Sequence, residues 1–127
     1  MNTGRRVLVI DDDPGICEAI HDVLQLEDIE VRVASCGADG IQTLRSGYRP
    51  GLILLDLMMP GTDGPWFCSE RAKDPELLKI QVIIMSAHGQ AETRVAGLSV
   101  NAVLTKPIDL DDLLSTVTPF LSPKLKK

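Results

Sequence analysis

The sequence predicts a doubly wound α/β sandwich: a five-stranded parallel sheet with helices on both faces. Two observations predict it. Apolar runs of four to five residues alternate along the chain with segments of helical periodicity. The runs are rich in Val, Ile and Leu and lack polar alternation, as strands covered on both faces require. Five such strand–helix units in series specify a parallel sheet. A third observation bears on function. Four of the runs deliver a polar residue at their C-terminal end, where open α/β sheets bind ligands.

Strands are expected near 6–10, 30–34, 52–56, 81–86 and 102–105. The first, Val7-Leu8-Val9-Ile10, runs into Asp11-Asp12-Asp13. Asp13 suits a helix cap and Pro14 the first turn. Ile16, Ala19, Ile20, Val23 and Leu24 then share one face of a helix over 14–27. A second helix is expected over 38–47. The third strand, Leu52-Ile53-Leu54-Leu55-Asp56, leads to a helix over 64–73, in which Trp66 and Phe67 read as packing residues. The fourth, Val82-Ile83-Ile84-Met85, ends in Ser86-Ala87 and leads to the weakest helical segment, 89–98. Gly89 and Gly97 bracket that segment, and Val95 and Leu98 are its only large apolar residues, so a short or mobile helix is expected. The fifth, Val103-Leu104-Thr105, ends in Lys106-Pro107, and Pro107 is a candidate for a cis peptide bond. Asp109 caps a last helix over 109–121 with Leu110, Leu113, Leu114, Val117 and Leu121 on its apolar face. Pro123 and the basic tail Lys124, Lys126 and Lys127 close the chain.

The strand ends carry the chemistry. Asp11, Asp12 and Asp56 brought close together repel one another unless a cation or a proton relieves them. Hard oxygen ligands with open water positions suit Mg²⁺. A carboxylate can accept a phosphoryl group as an acyl phosphate, so Asp56 is the candidate nucleophile. Lys106 offers a positive charge to one phosphate oxygen and Ser86 a hydroxyl to another. The backbone carbonyl of Met58 is a further candidate metal ligand. Each signal alone has a plain structural explanation. Asp-Asp before Pro makes a loop and cap, a lone Asp ends a strand, a Ser caps a helix, and a Lys covers a surface. Their placement on successive strand ends favours a joint site. His21 falls in the first helix, toward solvent. His88, two residues past Ser86, reads as a loop histidine or as a residue at the mouth of the site.

Composition narrows the class. The 127 residues suit one domain with a real core. A net charge of −5 and a pI near 4.9 argue against nonspecific nucleic-acid binding. No apolar stretch approaches the roughly 20 residues needed to span a bilayer. The N-terminus has none of the features of a secretory signal. Cys17, Cys36 and Cys68 form no CxxC pair and read as free thiols of a reducing cytoplasm.

The stretches Val7 to Asp13, Leu52 to Gly64, Val82 to His88 and Leu104 to Pro107 together resemble the receiver domain of two-component response regulators. The resemblance covers essentially the whole chain. It implies a flavodoxin-like sheet of order 2-1-3-4-5 in a single receiver domain over 1–127, with its core at about 5–121 and no output domain in this chain. Asp56 would be the phosphoacceptor. Asp11, Asp12, Asp56 and the Met58 carbonyl would hold Mg²⁺, with Mn²⁺ as a substitute. Ser86, Ala87 and Lys106 would form the phosphate-binding and switch set, and Lys106 would pair with Asp56 beforehand. The donor would be a phosphohistidine on a sensor histidine kinase or phosphotransfer protein. The result would pass to a downstream protein target, without direct nucleic-acid or membrane binding, in a cytoplasmic monomer or weak dimer. The chain would not be an enzyme with an external substrate.

Three positions depart from the family pattern. Val103 stands where the family usually has a Tyr or Phe that rotates as a switch. The segment from Ser86 to Lys106 is about two residues shorter than usual. Gly51 replaces an acidic residue before the third strand. The first two put the usual output surface in question and leave the phosphorylation chemistry intact. Two other functions compete with this one. One is a phosphorylation-independent interaction module on the same fold, with an altered output face. The other is an aspartyl-phosphate hydrolase, which would place a second Asp where this chain has Met58.

Overall fold

Val7, Leu8, Val9 and Ile10 are all fully buried, and so are Leu52 to Leu55 and Val82 to Met85. Consecutive strand residues point to opposite faces, so such runs need a covered layer on each side. The computed structural model describes residues 3–59, 61, 63–87 and 100–122. In it the three runs are the centre of one parallel sheet. Its strands are β1 (Arg6–Ile10), β2 (Glu30–Ala34), β3 (Leu52–Asp56), β4 (Gln81–Ala87) and β5 (Ala102–Lys106), in the order β2-β1-β3-β4-β5. The expected order 2-1-3-4-5 is therefore observed.

The helices are α1 (Pro14–Gln25), α2 (Gly37–Arg45), α3 (Gly64–Ala72), α4 (Pro75–Leu78) and α5 (Leu110–Val117). Two cores follow from the period of two along the strands. Val7, Val9, Leu52, Leu54, Ile83 and Met85 pack against Ile20 and Leu24 of α1 and Leu113 and Val117 of α5. Leu8, Ile10, Ile53, Leu55, Val82 and Ile84 pack against Ile41 and Leu44 of α2 and Phe67 of α3. Asp13 caps α1 through its side chain, as expected, with Pro14 in the first turn, and Asp109 caps α5.

Several expectations need correction. The outer strands are not covered on both faces: β2 exposes Glu30, Arg32 and Val33, and β5 exposes Val103 and Thr105. The helix over 64–73 is followed by a separate turn of helix, α4, capped by Asp74 and begun by Pro75. The last helix ends at Val117 and continues as a 3₁₀ turn over Thr118–Phe120. Ala19 and Leu110 face solvent, while Cys17 joins the α1 core face. The segment 89–98, His88 and the tail from Pro123 lie outside the described residues.

Two glycines have steric reasons. A Cβ on Gly51 would stand 3.0 Å from the Gly4 carbonyl oxygen, beside the β-type bond from Gly51 N–H to the Arg6 carbonyl. That accounts for the missing side chain before β3. A Cβ on Gly64 would stand 2.8 Å from Leu57 Cα, so only glycine lets α3 start this close to the end of β3.

Candidate functional site

β1, β3, β4 and β5 all end on one side of the sheet, and the sequence-predicted residues meet there. Asp11 follows Ile10 directly. Its N–H donates to the Ala34 carbonyl at 3.1 Å, and its Oδ1 accepts the Asp13 N–H at 2.9 Å. These bonds aim the carboxylate across the strand ends, and Asp11 is buried. Asp12 is exposed. Asp56 ends β3, is 4% exposed, and accepts the Met58 N–H at 3.3 Å. Carboxylate oxygens of Asp11, Asp12 and Asp56 lie within 4.8 Å of one another.

Lys106 ends β5 and answers that charge. Its Nζ lies 3.1 Å from Asp11 Oδ2 and 3.2 Å from Asp56 Oδ1. The expected pairing with Asp56 is present, but the same ammonium also holds Asp11. Burial alone would lower the Lys106 pKa, yet hydrogen bonding and charge from Asp11, then Asp56, leave it raised. Burial raises the Asp56 carboxyl to about 6, helped by the Asp11 charge and opposed by Lys106 and the Met58 N–H.

Ser86 and Ala87 close the set. Ser86 pairs with Thr105 and Ala87 with Lys106 in the β4–β5 register, one and two residues past the partner of Asp56. Ser86 is buried, and its hydroxyl donates to the Ala87 carbonyl at 3.2 Å. Met58 lies two residues past Asp56 with its side chain exposed. The Lys106–Pro107 bond is cis, as expected for the candidate Pro107. His21 is away from this cluster, 3.3 Å from Asp22 on α1.

One neighbour was not expected. The Cys17 thiol donates to the Asp11 carbonyl at 3.4 Å. Burial, then the Asp11 charge, raises that thiol to about 11, so it is a buried, protonated packing group. Its position six residues past Asp11, on the inward face of α1, was the available signal.

Chemically, the cluster suits a hard divalent cation. It offers carboxylate oxygens, two of them on buried residues, and carries more negative charge than one ammonium neutralises. A family model described as "Response regulator receiver domain" matches residues 7–118. The chain belongs to that family. Receiver domains are the signalling domains of two-component systems and are not generally classed as enzymes. The PilH protein of Pseudomonas aeruginosa is 33% identical over 119 residues, covering 92% of this chain and 98% of its own. RpaA of Synechocystis, named a DNA-binding dual master transcriptional regulator, is 36% identical over 118 residues, 91% of this chain. This receiver domain spans only 48% of RpaA and about half of several other curated relatives. Among solved structures, the response regulator TrrA of Thermotoga maritima, in complex with Mg(2+)-BeF, has a TM-score of 0.81 at 27% identity, covering 92% of this chain and 99% of its own. The receiver domain of Francisella response regulator 1452 has a TM-score of 0.80 at 30% identity, covering 91% and 95%. No helix among the described residues is long and apolar enough to cross a membrane.

Proposed function

We propose that this receiver domain accepts a phosphoryl group on Asp56 from a phosphohistidine of a sensor kinase or phosphotransfer protein. The observation that carries this reading is the convergence of Asp11, Asp12 and Asp56 with Lys106 Nζ on two of those carboxylates. A carboxylate oxygen of Asp56 attacks phosphorus as the phosphorus–nitrogen bond of the donor imidazole breaks. The imidazole leaves with the bonding electron pair and takes up a proton. Asp11, Asp12, Asp56 and the Met58 carbonyl would hold Mg²⁺, with Mn²⁺ as a substitute; the carboxylate cluster and the Mg²⁺-containing complex of TrrA support a Mg²⁺ site. The bound cation supplies charge neutralisation to the phosphoryl oxygens. Lys106 binds a phosphoryl oxygen once Asp56 is an acyl phosphate and its carboxylate charge is gone. The Ser86 hydroxyl, which donates to its neighbour's carbonyl, turns toward another, beside the backbone of Ala87. The product shifts an existing equilibrium between two surface states read by a protein target.

A second reading is favoured by Val103, an exposed aliphatic side chain where the family pattern has a rotating aromatic. In that reading the fold binds partners without phosphorylation. Intact-protein mass after incubation with Mg²⁺ and acetyl phosphate separates the two. A phosphoryl-sized gain that needs Mg²⁺ and vanishes in Asp56→Asn is the expected result. Phosphorylation that survives in Asp56→Asn would overturn the assignment of the acceptor. No gain with either acetyl phosphate or a phosphorylated phosphotransfer protein would favour the second reading.

A further inference from the structure

Among the described residues the outer edge of β2 lacks the devices that usually blunt a sheet edge. β2 is the outer strand of the sheet, and no described strand pairs with its far side. Its pairing with β1 is regular from Glu30 to Ala34, with no bulge, and it contains no Pro or Lys of the kind that blunts an edge. The Ala34 carbonyl accepts from Asp11, so Ala34, Arg32 and Glu30 turn their backbone groups toward β1. The N–H and C=O of Val31 and Val33 therefore face outward along the edge. The two most exposed large apolar side chains among the described residues sit here: Leu26, 79% exposed in the turn before β2, and Val33, 46% exposed. A groove of about 590 Å³ runs beside the strand, between Arg32–Ser35 and the Asp39, Gln42 and Thr43 positions of α2.

Charge selects the occupant. We propose that a second copy of this chain pairs its β2 antiparallel to this one, about a two-fold axis at Val31. Only outward-facing residues can meet across such an edge, so Val31 opposes Ile29, Val31, Val33 or Ser35 of the copy, and Val31 opposite Ile29 sets Glu30 against Glu30, which is repulsive. Val31 opposite Val33 sets Arg32 against Arg32, which is repulsive. Val31 opposite Ser35 leaves Glu30 and Arg32 without charged partners across the axis. Val31 opposite Val31 sets Glu30 against Arg32 of the copy, and by symmetry Arg32 against its Glu30. In that register Val31 exchanges both backbone bonds with its counterpart. Val33 N–H reaches the Ile29 carbonyl, whose own N–H is already bonded to Leu24. Both charged side chains are exposed, on the face of the strand that ends in the buried Ala34. Glu30 is 3.3 Å from Arg6 and Arg32 lies over the Tyr48 ring at 4.9 Å, contacts that orient them without burying them. The strand is short, so the dimer is weak and forms at high protein concentration. It needs no phosphoryl donor.

The test is sedimentation equilibrium of the full chain without phosphodonor. Wild type is expected to dimerise reversibly. Glu30→Arg and Arg32→Glu should each weaken the dimer about tenfold by setting like charges opposite. The double variant, which restores opposite charges, should return to within about threefold of wild type. Circular dichroism checks that each variant is folded. A wild type that stays monomeric at millimolar concentration overturns the proposal. So does a dimer that the single reversals do not weaken, or that the double reversal does not rescue.

Discussion

Lys106 carries one positive charge and faces two carboxylates, both on buried residues. That imbalance makes Asp56 a strained acid rather than a comfortable one. Its carboxyl is raised from 3.8 to about 6, first by burial and then by Asp11. The folded state therefore holds the Asp56 proton more tightly than the unfolded chain does. The stability this contributes is complete below 3.8 and is lost as pH rises through about 6. Without divalent cations, Asp56→Asn should thus be the more stable protein at pH 7.5, by on the order of 2 kcal/mol. The advantage should shrink toward pH 4, where both proteins carry an uncharged group. Urea denaturation in EDTA at pH 4 and pH 7.5 reads this directly. An Asp56→Asn advantage that does not change with pH would mean that the carboxyl is not raised. Added Mg²⁺ should favour wild type and narrow the gap at pH 7.5.

At the scale of elements, α4 shows what the sequence could and could not reveal. Arg71 is buried at the end of α3, and its guanidinium donates to the Leu78 and Ile80 carbonyls at 3.0 and 2.5 Å. It ties α4 and the approach to β4 back onto α3. Arg71→Met keeps the bulk but leaves those carbonyls without their donor, and should cost about 2–3 kcal/mol. Hydrogen exchange should show the loss concentrated in 75–80, and an unchanged urea midpoint would refute this role for Arg71. Nothing in the periodicity pointed to α4, because a single turn is shorter than any periodic pattern. Its Asp74-Pro75 start was nevertheless a readable signal. The strands were legible for the opposite reason. Burial on both faces leaves a short continuous apolar run, and its length and repeated alternation with helical segments mark it as a strand. The site was legible because each of its residues follows such a run, at an end the topology brings together. What stayed hidden was the sharing of Lys106 between Asp11 and Asp56, the Cys17 thiol behind Asp11, and the exposure of the outer strands. Those depend on how side chains meet across elements distant in sequence. The solvent-facing Leu110 has the same cause: helical spacing places it beside Leu113, but it is the first residue of the helix and lines an open groove with Ile16, Ala19 and Ile108.

The whole molecule has a gradient of protection from centre to edge, and the site sits at its steepest part. β1, β3 and β4 are buried on both faces, between a core under α1 and α5 and another under α2 and α3. β2 is covered only in part, and half of its backbone groups face away from the sheet. Amide exchange should follow that order. Val9, Leu54 and Ile84 should be among the last amides to exchange, opening only with global unfolding. Within β2, Arg32 and Ala34 should exchange more slowly than Val31 and Val33 in dilute solution, since only the first two donate inward. Raising the protein concentration should slow Val31 and Val33 selectively if the edge is covered by a second copy. Equal exchange along β2 in dilute solution would mean that its backbone does not alternate as the register requires. Asp11 lies where the gradient is sharpest, because its backbone bonds to Ala34 at the end of the outer strand while its side chain meets Lys106 and the core strands. Opening of β2 breaks the Asp11–Ala34 bond and should therefore loosen the carboxylate cluster. A cation bound by that cluster should accordingly protect the Asp11 amide more than it protects those of Val9 or Leu54.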